Sequence, residues 1–93
     1  MQSYHTYVLL SEKDNHFYIG MTSCLQKRVY QHNVGKVKST KARRPFKLFY
    51  YEEYQDKTEA RKREIFLKSG PGRLFLQRKL KRFTKDEETI KNL

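Results

Sequence analysis

Residues 3–22 read SYHTYVLLSEKDNHFYIGMT: two runs of aromatic and β-branched residues on either side of turn formers. That pattern commits the chain to a β-hairpin. In the first run, Ser3 to Leu10, residues Tyr4, Thr6, Val8 and Leu10 share one face, and His5, Tyr7 and Leu9 the other. The second run, HFYIGM, sets Tyr18 on the arm facing Tyr7. Facing residues of an antiparallel pair share a side. The two tyrosines therefore share a face only if paired residue numbers sum to an odd value. An even-length loop does this, for example with Leu10 opposite Asn15; otherwise a bulge must re-aim one strand.

A helix follows at once. Ser23 and Gln26 have capping-box spacing, Leu25 and Val29 sit one turn apart, and Gly35 is the expected stop. KVKSTKARRP is a basic loop carrying Lys36, Lys38, Lys41, Arg43 and Arg44. FKLFYYEEY, Phe46 to Tyr54, is aromatic enough for a third strand. DKTEARKREIFLKSG predicts a second helix, capped by Asp56 or Thr58 and stopped at Gly70, with Pro71 breaking the chain. Leu76, Leu80 and Phe83 at i, i+4 and i+7 give a third helix one apolar stripe. The last ten residues are polar and are expected to fray.

Hydrophobic residues make up 37% of the 93 residues and aromatics 14%, which suffices for one modest packed core. Lys and Arg total 21 against 10 Asp and Glu, a net charge of +11. So much positive charge on a short chain points to a polyanion, nucleic acid first and an anionic membrane second. The membrane reading is disfavoured. No apolar run approaches the roughly 20 residues of a span, and no clean basic amphipathic helix is present. MQSYHTYVLL running straight into SEKDNH is not a signal-peptide pattern. One cysteine, Cys24, excludes an internal disulfide and a cysteine-built zinc site. The expected compartment is a reducing cytoplasm.

Several residues carry chemistry. Arg28 and His32 lie four apart on one helix face beside the Leu25/Val29 stripe, so both can reach toward the sheet edge. A solvated helix side is the plainer reading of such a pair alone. Ala60, Glu64 and Leu67 fall at i, i+4 and i+7. A carboxylate on that inward face needs a cation, a hydrogen-bond network or a metal; an intrahelix pair with Lys68 or Arg61 is the plainer reading. Tyr7 and Tyr18, taken singly, are two of seven tyrosines filling space. Gly20 ends the second strand, where a missing side chain lets a phosphate backbone approach, and a β-bulge is the plainer account.

Their order along the chain is more specific. Tyr7 in a strand, YIG at Tyr18–Gly20, Arg28 and His32 on the next helix, and Glu64 after the third strand resemble the GIY-YIG nuclease family. RRPFKLFYYEEY and TEARKREIFLKS are similar to its small stand-alone bacterial members. The resemblance implies an α+β fold, a small three-stranded antiparallel sheet flanked by three helices. It covers roughly Tyr4 to Phe83, and the expected organisation is a single domain over residues 1–83 with 84–93 as a polar tail. It also implies a catalytic set of Tyr7, Tyr18, Arg28, His32 and Glu64, with Glu64 holding Mg²⁺ or Mn²⁺. His5 and Thr6 replace the glycine and isoleucine of the first motif. Met21 and Leu76 stand where some members carry a lysine and an asparagine.

These residue types suit phosphodiester hydrolysis. Mg²⁺ takes oxygen ligands while keeping waters, so one carboxylate plus substrate phosphate can hold it. Arg28 offers a planar fork of donors to the transition-state phosphate. Tyr7 would accept the proton of the attacking water, given nearby positive charge from Arg28, His32 or the metal. Tyr18 would hydrogen-bond the phosphate or the water, and His32 would orient Tyr7 or relay its proton. Gly20, Lys36, Lys38, Lys41, Arg43 and Arg44 are expected to contact nucleic acid. DNA is the expected partner and RNA stays open. Nothing resembles a base-reading module, so selectivity is expected from DNA structure, such as branches, flaps or nicks. A non-catalytic nucleic-acid-binding module on the same fold, working with a partner, is the alternative. The oligomeric state is not legible.

Overall fold

The hairpin closes on the turn chemistry its sequence supplies. The computed structural model describes residues 2–91, with side chains through Arg82. The strands are β1 (Tyr4–Ser11) and β2 (Phe17–Thr22). Between them the Ser11 hydroxyl accepts from the Lys13 and Asp14 amides, each at 3.2 Å, and Asp14 accepts from the His16 amide at 2.9 Å. Asn15 takes the left-handed conformation, φ 59°, which its short polar side chain tolerates. Leu10 pairs with Phe17, not Asn15, yet the sum of paired numbers remains odd, so Tyr7 and Tyr18 share a face. Helix α1 (Leu25–Asn33), a 3₁₀ turn (Lys41–Arg43), β3 (Phe46–Tyr54), α2 (Lys57–Lys68) and α3 (Gly70–Lys91) follow. The fold is α+β, one antiparallel sheet in the order β2-β1-β3 with three α-helices.

Alternation along β1 sorts the core into two layers. Tyr7 and Leu9 face α1 and pack with Phe46, Tyr18, Leu25 and Val29. Val8 and Ile19 face α2 and α3, packing with Leu67 and Leu76. Full burial of each such aliphatic side chain contributes about 1.5–3 kcal/mol. Thr6, on the α2 side, donates to the Ala60 carbonyl at 2.7 Å and pins the first turns of α2 beneath β1. Asn33 clamps the end of α1 to β3: its amide donates to the Phe46 carbonyl at 3.1 Å and accepts from the Phe46 amide at 2.7 Å.

Three local expectations change. Cys24, not Ser23, is the N-cap of α1, without a side-chain bond; the Thr22 hydroxyl accepts from the Cys24 amide instead. Asp56, one of the two expected caps, does cap α2, accepting from the Thr58 amide at 2.8 Å. At the α2–α3 joint Ser69, rather than Gly70, ends α2, and its hydroxyl also accepts from the Gly72 amide. A Cβ on Gly72 would lie 2.0 Å from the Phe66 carbonyl, so only glycine permits this crossing. Helix α3 runs on through most of the segment read as a tail. Leu76 is buried; Phe83, the last member of its stripe, lies outside the residues whose side chains are described.

Candidate active site

β2 is an edge strand, and the Tyr7 phenol reaches over it at Gly20, its paired residue. A Cβ on Gly20 would sit 2.6 Å from the Tyr7 hydroxyl oxygen. This corrects the phosphate-approach reading: Gly20 is buried, and the space it leaves is filled by the phenol. Gly20→Ala should therefore push Tyr7 off its partners. Overpacking of this kind costs about 1–3 kcal/mol, readable as a lowered thermal midpoint.

α1 brings Arg28 and His32 to the same phenol. His32 is fully buried, with Nε2 3.0 Å from the Tyr7 oxygen and Nδ1 2.8 Å from the Thr40 hydroxyl. Thr40 donates its own proton to the Val37 carbonyl at 3.4 Å, so it accepts from Nδ1–H. The network thereby assigns the lone pair to Nε2, and Tyr7 donates to it. Arg28 Nε donates to the Tyr7 oxygen at 3.4 Å, and its Nη1 to Gln31 at 3.3 Å. The Tyr18 ring lies 4.8 Å from His32 and 6.3 Å from Tyr7, completing the cluster. Thr40, buried in the middle of the basic loop, has no signal in the sequence. Only the rule that a buried imidazole needs a partner on each nitrogen anticipates it.

Burial dominates the electrostatics. It raises the Tyr7 pKa; Arg28 opposes this through its hydrogen bond, while Tyr18 and Glu64 add to it. The same hydrogen bond raises the Arg28 pKa and fixes its charge. Burial, then the Arg28 charge, pushes His32 down to about 4. His32 is therefore neutral at physiological pH and is not a source of positive charge for Tyr7. The unfolded chain takes up this proton near 6.5 and the folded chain near 4. Stability is thus full above pH 6.5 and falls as pH drops toward 4, by on the order of 3 kcal/mol. His32→Gln should flatten that part of the slope in denaturant unfolding between pH 7 and 4.

Glu64 comes from the other layer. α2 packs beneath the Thr6/Val8 face, with Ala60, Glu64 and Leu67 inward; Glu64 is only 6% exposed. No hydrogen bond joins it to the other four, but its charge is felt at Tyr7. Tyr7, Tyr18, Arg28 and His32 thus form one contacting group, and Glu64 approaches from the far side of the sheet. Its oxygens accept from Arg61 Nη1 at 3.1 Å and Lys68 Nζ at 3.2 Å. A buried carboxylate whose partners among the described residues arrive on exposed arms suits a hard divalent cation. Among the described residues no group of three His, Cys, Asp or Glu could hold a metal. Waters and phosphate oxygens would have to complete the shell. Leu76, at the family's asparagine position, is fully buried and committed to packing.

The basic loop divides. Lys36, Lys38 and Lys41 are exposed. Arg43 is spent on the hairpin: it grips Asp14 at 2.7 Å and donates to the His16 carbonyl at 3.1 Å. That grip holds the Asp14 carboxyl well below its usual range. Arg43 is therefore not free to track phosphates. Arg44 is exposed but donates Nε to the Lys41 carbonyl at 2.8 Å. Among the described residues, no helix is long and apolar enough to cross a membrane.

Residues 3–73 match the GIY-YIG catalytic domain. The chain is 43% identical over 65 residues to the UPF0213 protein YazA of Bacillus subtilis, covering 69% of this chain and 66% of that protein. Against a UPF0213 protein of Staphylococcus haemolyticus the identity is 40%, over 74% of this chain and 84% of the relative. The match thus spans about two thirds of the length of the first relative. The solution NMR structure of a UPF0213 protein from Bacillus halodurans is 31% identical, with a TM-score of 0.50 over 80% of this chain and 81% of that one. With the YIG motif on an edge strand and the sheet order it helps build, the chain belongs to the GIY-YIG family of nuclease-type domains, and is similar to its small bacterial UPF0213 proteins.

Proposed function

We propose that the protein is a metal-dependent endonuclease that hydrolyses DNA phosphodiester bonds and selects DNA by structure rather than sequence. One observation carries this reading: a buried tyrosine hydrogen-bonded between an arginine and a neutral histidine. A pure binder needs cationic surface, but has no use for that chain of contacts or for an inward carboxylate.

Glu64 would hold Mg²⁺ or Mn²⁺. The bound cation supplies charge neutralisation at the scissile phosphate and its leaving oxygen. Arg28 exchanges its long contact with Tyr7 for the phosphate, uncovering the Tyr7 oxygen. Tyr18, at the half-buried rim, hydrogen-bonds the phosphate. Tyr7 then takes the proton of the attacking water as its own proton passes to His32 Nε2. The incoming phosphate charge favours protonated His32, and Thr40 keeps Nδ1 occupied so that Nε2 alone receives the proton. Lys36, Lys38 and Lys41 track neighbouring phosphates without reading bases; RNA would satisfy them equally.

The binding-module alternative draws on one observation as well: Tyr7 is 1% exposed, so the resting site is closed. One experiment separates the readings. The protein is incubated with linear, nicked, flap and four-way-junction DNAs and with RNA, in Mg²⁺, Mn²⁺ or EDTA. Metal-dependent cutting with a preference among the branched forms is expected. Tight binding with no cutting of any substrate in either metal would establish the binding module instead.

A further inference from the structure

Glu64 is the only buried acidic residue among the described side chains. Its two salt bridges differ from ordinary helix pairs. Arg61 and Lys68 have side chains 64% and 53% exposed, while the Glu64 side chain is 8% exposed. An apolar residue between Ala60 and Leu67 would fill this inward position without either cation, since exposed i,i+3 and i,i+4 pairs add only a few tenths of a kcal/mol to a helix. Helix stability therefore does not explain the arrangement. Each carboxylate oxygen accepts from one cation, Oε1 from Arg61 and Oε2 from Lys68.

Arg61 also lines a second feature. With Met21, Lys57, Thr58 and Lys62 it walls a groove of about 370 Å³ between β2 and the first turns of α2. Three of those five residues are cations. The groove runs beside the strand whose Gly20 carries the Tyr7 phenol on its other face. Arg61 thus links the buried carboxylate to a groove flanked by Lys57 and Lys62.

We propose that Arg61 and Lys68 are phosphate-binding residues that rest on Glu64 in the free protein, keep divalent metal off it, and move to the nucleic-acid backbone when a strand enters the groove. This rests on Glu64 being the metal ligand. The exchange balances charge: two cations leave a carboxylate for phosphates, and a divalent cation takes their place. Metal and nucleic acid then strengthen each other's binding, by the same factor in each direction. The free protein does not hold a charged metal site open to stray metal.

The test measures binding in the full-length protein, not cleavage. Mn²⁺ binding without nucleic acid is followed by the paramagnetic resonance of free Mn²⁺. Binding of a short duplex in EDTA is followed by fluorescence anisotropy. The double variant Arg61→Gln/Lys68→Gln should bind Mn²⁺ about tenfold more tightly and the duplex about tenfold more weakly, as expected for the loss of two modest ion pairs. Glu64→Gln should lose Mn²⁺ binding and keep or gain duplex affinity. Lys13→Gln/Lys47→Gln, at the hairpin end, makes the same change in net charge and should leave Mn²⁺ affinity within about twofold, the pairing being local. Circular dichroism confirms that each variant is folded. If the double variant binds Mn²⁺ no better than wild type while Glu64→Gln loses it, the resting-cation proposal is wrong and the metal ligand stands. Equal tightening in the Lys13/Lys47 variant overturns the proposal in favour of a general charge effect. Unchanged Mn²⁺ binding by Glu64→Gln overturns the metal assignment itself.

Discussion

Glu64→Gln is expected to abolish metal-dependent cleavage while leaving duplex affinity equal or slightly higher. The amide keeps the size and shape of the side chain but not the charge that neutralises a divalent cation. One repulsive anion is also removed from a surface built to meet phosphates, and Arg61 and Lys68 lose their carboxylate partner. Folding should not suffer greatly. Losing a buried ion pair is offset by no longer desolvating a carboxylate. Gel assays of nicked product and a parallel binding isotherm check both halves. If the variant cuts as well as wild type, the metal is held elsewhere. Glu53 is then the next carboxylate to test: it is exposed and lies 3.2 Å from His5. Glu52 is a poorer choice, already bound by the Tyr50 and Tyr54 hydroxyls and by Arg63 at 2.9 and 3.1 Å.

Tyr7→Phe removes one oxygen and leaves the ring over Gly20. Loss of a positioned general base costs about a hundredfold to ten-thousandfold in rate, and single-turnover cleavage should show a fall in that range with DNA affinity unchanged. His32 would then keep its Thr40 bond but lose its partner on Nε2. Tyr18→Phe is the companion measurement. A larger loss there than at Tyr7 would move the proton acceptor to Tyr18, the more exposed of the two phenols.

Much of this was legible because it depends on local periodicity. The sequence allowed Tyr7 and Tyr18 a shared face through an even-length loop or else through a bulge; the loop is even, and Leu10 pairs with Phe17, two residues beyond the Asn15 of the example. The inward stripe Ala60, Glu64, Leu67 follows from helical spacing. What was not legible depends on contacts distant in sequence. Gly20 is a glycine because of a phenol on the neighbouring strand. Thr40 is buried because a loop folds back on His32. Arg43 reads as one more cation in a basic run until the turn carrying Asp14 closes on it. The cap of α1 failed for a different reason. Thr22, Ser23 and Cys24 are adjacent, and the hydroxyl that serves the turn is the one still in the strand.

The segment from Val34 to Pro45 has one further consequence. It is tied at Thr40 to His32, at Arg43 to the hairpin turn, and past its end at Phe46 to Asn33. The Val37 carbonyl takes both the amide and the hydroxyl of Thr40, and Lys36 returns its amide to Gln31 at 3.0 Å. Among the described residues, the step from Lys36 to Val37 lies between those ties as a loose joint. Extra residues threaded in there would leave the imidazole's support intact, whereas the same insertion after Lys38 would break it. A lineage acquiring a lengthened loop, or an engineer grafting a targeting peptide, has one permissive seam in a stretch that looks uniformly tolerant.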